Sequence, residues 1–390
     1  MPVKYDDYTQ YRDKVAGLVS RCRRESSVIA NIDSAPLLVD DKKNLVEAVE
    51  KLVFTLQGQP HSIVREKIVE ELDGLSAKIS GRKALQANAF KKIVEIAEER
   101  MRQSNDWRDG YALIKVFNEL LETPNFDTPQ HASAAVGFAE KMDAKKFARI
   151  AEVVGNCFKS AAATTPAHFK DLFAAAEKTH DAAVQQGLPL GEYSAVVGQV
   201  GVFTFLSKAF DLIPHRLNAS QAKEFIGLTT KAIEKDGQLE DIKTVLYKAA
   251  KASKTQTPQQ ISRTMALLAQ TAHQHGGRTA AETAKKIGAF KHLNTDEWLR
   301  IAEKAVQNKV RPHRALETYA AALQEGRKAA GDVEEGIENG VLLGPKGRQR
   351  LNQAIFSRKA FFDEAKKTLQ ELLARRPKDE FEAELRSLHY

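Results

Sequence analysis

The sequence predicts an all-α protein, and specifically an α-solenoid of antiparallel helix pairs with about 37 to 39 residues per pair. Three observations support this prediction. Apolar residues recur with helical spacing along nearly the whole chain. Only 22 Gly and 12 Pro occur among the 390 residues, which leaves long stretches free of helix breakers. Polar residues that favour helix starts recur at a nearly constant interval, as expected for a repeat array.

Helical spacing is clearest where apolar residues return every third or fourth position, as in Val64, Ile68, Leu72, Leu75 and Ile79. This pattern gives each helix one apolar stripe. We find no convincing run of period-two alternation, so the sequence predicts about sixteen helices and no sheet. The stretch 196–206 has no polar face and is interpreted as a helix buried on all sides. The first helices are predicted at roughly 3–24, 40–57, 60–79, 82–104 and 106–122.

The predicted helix starts carry N-capping residues. Thr128, Thr165 and Thr257 each precede a proline, and Asn218 and Asn294 occupy the same role. Successive starts are separated by 37, 53, 39 and 37 residues, and the longest interval is interpreted as a unit with an insertion. Reciprocal capping boxes are predicted for the pairs Thr257 and Gln260, Asn218 and Gln221, and Asn294 and Glu297. A lone helix pair cannot bury its stripe, so the pairs are expected to stack.

These patterns divide the chain into three predicted regions. Residues 1–124 form an N-terminal helical region, residues 125–330 form the repeat array, and residues 331–390 form a hinge and basic C-terminal helices. The formal net charge is +8, and residues 346–378 hold ten basic and three acidic residues, a net charge of +7. The acids Asp332, Glu334, Glu335 and Glu338 precede this basic segment.

The basic segment predicts contact with phosphate groups, whose counterions are released on binding. The alternative is a solvated helix face. The residues predicted to make this contact are the segment's Arg348, Arg350, Arg358, Lys359, Lys366 and Lys367, together with Lys145, Lys146 and Arg149 on one helix and Lys285 and Lys286 on another.

No catalytic, metal or cofactor motif is apparent, so we expect a protein that is not an enzyme and uses no cofactor. Two cysteines cannot form a disulfide framework or a cysteine-based metal site. Cys157 is expected in the core, and Cys22, between two arginines, is expected to have a more reactive thiolate. The glycine-containing loop at 340–347 lacks the phosphate-loop spacing and is interpreted as a hinge. His273 and His275 suit the end of a helix.

The N-terminus resembles neither a secretory signal nor an acid-poor transit peptide, and the longest apolar run, 194–206, is too short to span a bilayer. We therefore expect no membrane partner. Because no catalytic motif is apparent, we also expect no small-molecule substrate.

Residues 257–269, TPQQISRTMALLA, open with a polar cap followed by a helix rich in Ala and Leu. This stretch resembles the heptatricopeptide and octotricopeptide repeats, and residues 128–138 and 294–305 are similar to weaker copies. The resemblance covers roughly residues 125–330. It implies an organellar RNA-binding protein, expected in the mitochondrial matrix or otherwise the cytoplasm. Its expected partners are RNA and other protein subunits of a ribonucleoprotein complex. The alternative is a scaffold of the tetratricopeptide or HEAT type without direct RNA contact.

Overall fold

The computed structural model describes residues 5–58, 62–79, 85–126, 128–160, 165–191, 200–213, 217–235 and 237–340, together with residues 342 and 367. The described residues form seventeen α-helices and contain no β-strand, which confirms the predicted all-α class. The first ten helices are α1 Tyr5–Cys22, α2 Val28–Ser34, α3 Val39–Gln57, α4 Ser62–Ala77, α5 Ala87–Ser104, α6 Trp107–Glu122, α7 Pro129–Ala139, α8 Ala144–Ser160, α9 Pro166–Gln185 and α10 Val202–Asp211. The others are α11 Ala219–Glu234, α12 Leu239–Ser253, α13 Pro258–His275, α14 Gly277–Lys285, α15 Thr295–Gln307, α16 Pro312–Glu325 and α17 Arg327–Glu338.

The chain divides into two compact units, and the division falls between Leu299 and Arg300 within α15. In the first unit the helices form two layers. Each odd-numbered helix from α1 to α13 packs against the next odd-numbered helix, and each even-numbered helix from α2 to α14 packs against the next even-numbered one. This alternation is the arrangement expected of stacked helix pairs.

The two layers run through α1–α6 without a break, although none of these helices opens with a Thr-Pro pair. Layer packing needs an apolar stripe and does not require one particular cap. The short helix α2 has no counterpart among the predicted helices, since its seven residues are too few for a periodic pattern to stand out. The region boundaries predicted at 124/125 and 330/331 remain predictions.

The predicted caps are present. Thr128 accepts a hydrogen bond from the backbone N–H of His131, and Asn294 accepts one from that of Glu297 at 2.9 Å. Full capping boxes form at Asn218 with Gln221 and at Thr257 with Gln260. Thr165 also forms a capping box, with the His168 side chain as its partner. The sequence pattern missed this last box because histidine is not one of the residues that normally close it.

The capping glutamines also join neighbouring repeats. Nε2 of Gln221, on α11, donates to the carbonyl oxygen of Pro258 at 2.7 Å and to Oγ of Ser262 at 3.2 Å, both on α13. Nε2 of Gln260 donates to Oδ2 of Asp296, on α15, at 3.0 Å. Each glutamine therefore caps its own helix and contacts the start of the next odd-numbered helix. The constant interval between helix starts keeps both contacts in reach.

The core of the first unit contains a cluster of aromatic rings between α7, α8 and α9. Phe169 is fully buried, and its ring meets those of Phe126, Phe158 and Phe173 at centroid distances of 5.3 to 5.8 Å. Cys157 is also fully buried, as predicted. Rings in such edge-on and tilted contacts stabilise a core beyond the area that they bury.

The predicted apolar helix at 196–206 begins later than expected, at Val202, and residues 192–199 lie outside the described part. Gly201, just before α10, is extended, and the first two residues of the helix pair with residues 189–190. The backbone N–H groups of Val202 and Phe203 donate to the carbonyl oxygens of Pro189 and Leu190, each at 3.0 Å. Most of α10 is buried as predicted, but Lys208 and Asp211 are exposed and Thr204 is half-buried, so the helix is not buried on all sides.

The connection between α13 and α14 is a single residue, Gly276, whose φ of +88° favours glycine. The next residue, Gly277, starts α14 against the end of α11, where its N–H donates to the carbonyl oxygen of Lys235 at 3.0 Å. A Cβ at Gly277 would lie 2.7 Å from the carbonyl oxygen of Ala232 and 2.9 Å from Cα of Gly237. Helix α14 can approach α11 this closely because position 277 has no side chain.

Candidate nucleic-acid interface

Most of the predicted C-terminal interface lies outside the described residues. This holds for Arg348, Arg350, Arg358, Lys359 and Lys366. Lys367 is described, and it is helical and exposed. The predicted hinge at 340–347 is described only at residues 340 and 342.

The acids that precede the basic segment have partners within the second unit. Glu334, on α17, pairs with Arg300 and Lys304 of α15, and Glu338 also pairs with Lys304. Burial acts to raise the pKa of Glu334, but the hydrogen bonds from Lys304 and Arg300 outweigh it and hold that pKa below its ordinary value. Two of the four acids before the basic segment are therefore neutralised by cations of α15.

The three predicted residues of α8 differ in how much of their charge is available. Lys145 is exposed. Nζ of Lys146 lies 3.0 Å from both Glu177 and Asp181 of α9, and its side chain is only 18% exposed. Nε of Arg149 donates to the carbonyl oxygen of Gly191 at 2.9 Å. Lys146 and Arg149 thus hold helices and loops together, which leaves Lys145 as the member of this set best placed to meet a ligand.

The predicted pair at the end of α14 lies on the surface. Lys285 is exposed and forms an ion pair with Glu282, one helical turn away, at 2.8 Å. Lys286 is half-buried at the C-cap of the same helix. An exposed pair of this kind contributes little stability, so Lys285 can exchange its partner for an anionic ligand at small cost.

A further basic surface, not predicted from the sequence, lies on α12. Lys248 and Lys251 are exposed on this helix, and Lys243 and Tyr247 are half-exposed beside them. Nζ of Lys243 sits 5.5 Å from the ring centroid of Phe205 on α10, and the ring of Tyr247 meets that of Phe205 edge-on at 6.0 Å. The signal was present in the sequence, because residues 242–281 contain no Asp or Glu. The larger excess of basic residues in the C-terminal segment made this signal easy to overlook.

The prediction of a reactive thiolate at Cys22 is wrong. The residue is buried, and burial raises the pKa of its thiol despite the opposing charge of Arg65. Arg21 lies on another side of α1, since neighbouring positions on a helix diverge by about 100°. Arg23 lies beyond the end of the helix and pairs with Asp73.

The first unit also has a surface groove of about 430 Å³ between α1 and α3, lined by Asp7, Tyr11, Lys43, Glu47, Glu50 and Lys51. The hydroxyl of Tyr11 donates to Glu50 in a short hydrogen bond. Both signs of charge line this groove, so it does not match a polyanion.

Comparisons with known proteins assign no family. No protein-family model matches the chain, and no curated protein matches it significantly. None of the described helices has the length and apolar content of a membrane span. Within the described ranges, no group of three or more His, Cys, Asp or Glu residues is arranged to hold a metal ion.

Proposed function

We propose that this protein is a non-catalytic helical-repeat subunit of an organellar ribonucleoprotein complex, in which Lys and Arg side chains contact the phosphate backbone of RNA. The observation that carries the proposal is the charge distribution. The segment 346–378 has a net charge of +7, close to the whole excess of the chain. The acids Glu334 and Glu338 just before it are already paired with Arg300 and Lys304.

A polycation of this density attracts RNA because each phosphate contact releases condensed counterions. The roles proposed for the complex are RNA processing, RNA stability or ribosome assembly. The mitochondrial matrix is the proposed compartment, and it rests on the repeat resemblance.

Filter binding of single-stranded RNA to the full chain at several salt concentrations tests the proposal. We expect affinity to fall linearly with the logarithm of salt concentration. Reversal of Arg348, Arg350, Arg358 and Lys359 to Glu removes four contacts. The slope should then become shallower by about 3, at about 0.7 per contact on a single strand.

A matched control carries the same charge change on exposed lysines elsewhere, K67E/K141E/K170E/K178E. It should keep most of the RNA affinity. Absent or salt-independent binding, or equal losses in the two variants, would contradict the proposal. If RNA binding is absent, the favoured reading becomes a protein–protein scaffold whose basic segment meets an acidic partner.

A further inference from the structure

A second concentration of positive charge lies within the predicted repeat array. Residues 242–281 include six Lys and Arg and no Asp or Glu, which gives a net charge of +6 over 40 residues. These residues form most of α12, all of α13 and the start of α14. The net charges of this stretch and of the C-terminal segment add up to more than the net charge of the whole protein, so the rest of the chain has a net negative charge.

Helix α12 presents the lysines of this stretch on one face. Its buried side consists of Ile242, Val245, Leu246, Ala249, Ala250, Ala252 and Ser253. The opposite side carries Lys243, Tyr247, Lys248 and Lys251, which we call the α12 strip. From Lys243 to Lys251 the strip extends about 12 Å along the helix axis at 1.5 Å per residue.

Lys248 and Lys251 of the strip have no acidic neighbour one turn away on their own helix. The positions four residues from Lys248 are Thr244 and Ala252, and those four residues from Lys251 are Tyr247 and Thr255. Two lysines on the other layer are paired with acids. Lys223 of α11 pairs with Asp171 of α9 at 3.2 Å, and Lys231 pairs with Glu234 at 2.7 Å. In the described part of the chain, no ion pair is formed by Lys248 or Lys251.

Two features favour a nucleic acid over a protein as the ligand of this strip. Protein interfaces have an apolar centre, whereas the exposed side of α12 has no exposed large aliphatic or aromatic residue among those described. The half-exposed ring of Tyr247, held edge-on by Phe205, lies among the lysines and offers a surface to a base. Half-exposed Thr244 adds a hydroxyl donor for a phosphate oxygen.

We infer that the α12 strip is a second RNA-binding site, which takes the sugar-phosphate backbone of a single strand independently of the C-terminal segment. This inference rests on the proposed function. Lys248 and Lys251 contact phosphates directly, and Lys243 exchanges its surface partner Glu240 for the ligand. Tyr247 provides the contact to a base.

Two measurements on the full chain test the site. In the first, lysines are acetylated with and without a single-stranded oligoribonucleotide, and modification is read by mass spectrometry. Lys248 and Lys251 should be protected, whereas the exposed Lys170 and Lys178 of α9 should not. In the second, RNA affinity is measured for K248E/K251E and for the matched control K170E/K178E. The loss of two phosphate contacts in K248E/K251E should weaken binding about 25-fold at 0.1 M salt. The charge-conserving variant K248R/K251R should bind RNA as tightly as the wild type.

The outcomes separate this inference from the proposed function. If the wild-type chain binds RNA with salt dependence but K248E/K251E behaves like the control, the strip is not a site and the proposed function stands. If the wild-type chain does not bind RNA, both fail. If polyglutamate protects Lys248 and Lys251 and RNA does not, the ligand is an acidic protein and the inference is overturned. Circular dichroism of each variant verifies that the helices are retained.

Discussion

Replacing Gln221 by Met tests whether the capping glutamines join neighbouring repeats. Gln221 is 3% exposed, and its side chain makes three hydrogen bonds: it accepts from the N–H of Asn218 at 3.0 Å and donates to Pro258 and Ser262. Methionine has nearly the same volume, so the substitution removes these bonds without opening a cavity. At about 1 kcal/mol for each hydrogen bond, the free energy of unfolding should fall by about 2–3 kcal/mol.

The matched control is Gln260→Met. Gln260 makes the equivalent cap to Thr257 and reaches Asp296, but its bonds lie at an exposed position. Water can replace them, so the expected loss is about 1 kcal/mol or less. Urea denaturation followed by circular dichroism measures the global effect. Hydrogen exchange with peptide resolution should detect faster opening of α11 and the start of α13, since stability in an array is transmitted between neighbours. Equal losses in the two variants would refute the reasoning.

Two further predictions concern the core and the pH dependence of stability. Phe169→Ala should destabilise the first unit by about 3–5 kcal/mol, because it removes a fully buried ring from the aromatic cluster. A loss of unfolding free energy below about 1 kcal/mol in thermal or urea unfolding would show that the cluster does not stabilise the core. Burial raises the pKa of Glu152 on α8 to about 7 from an ordinary value of 4.5, and the nearby Glu119 acts in the same direction. The folded state therefore binds the proton more tightly than the unfolded state, and the contribution of Glu152 to stability is lost as pH rises from about 4.5 through 7. Glu152→Gln should remove this dependence, so that its unfolding free energy gains on that of the wild type between pH 5 and 8, and parallel pH profiles would contradict the assignment.

The fold was largely predictable because its determinants are local. Helical periodicity depends on residues within three or four positions, and the caps at Asn218 and Thr257 depend on residues three positions away. The capping box of Thr165 with His168 was missed, since its chemistry departs from the usual residue types. The inclusion of α1–α6 in the two layers was also missed, because layer packing leaves no fixed residue at a fixed interval.

The candidate interface was less predictable, because the availability of a charge depends on neighbours distant in sequence. Lys146 has the same sequence appearance as Lys145, yet its partners Glu177 and Asp181 come from the next helix. Cys22 was misjudged for a similar reason, since burial among other helices outweighs the charge of adjacent arginines. The α12 strip was in principle visible as a stretch without acids. Recognising it requires asking where acids are missing as well as where bases are concentrated.

The glycine joint at the start of α14 links backbone geometry to surface charge. Arg278 and Lys285 lie on α14, and Lys248 and Lys251 lie on its neighbour α12, so the packing of these two helices sets the distance between the cations. A Cβ at position 277 would meet Ala232 and Gly237, so an alanine there would force α14 to shift against the end of α11 and would change that distance. A substitution that alters no charge would in this way change the spacing of the positive groups that the proposed RNA ligand would meet.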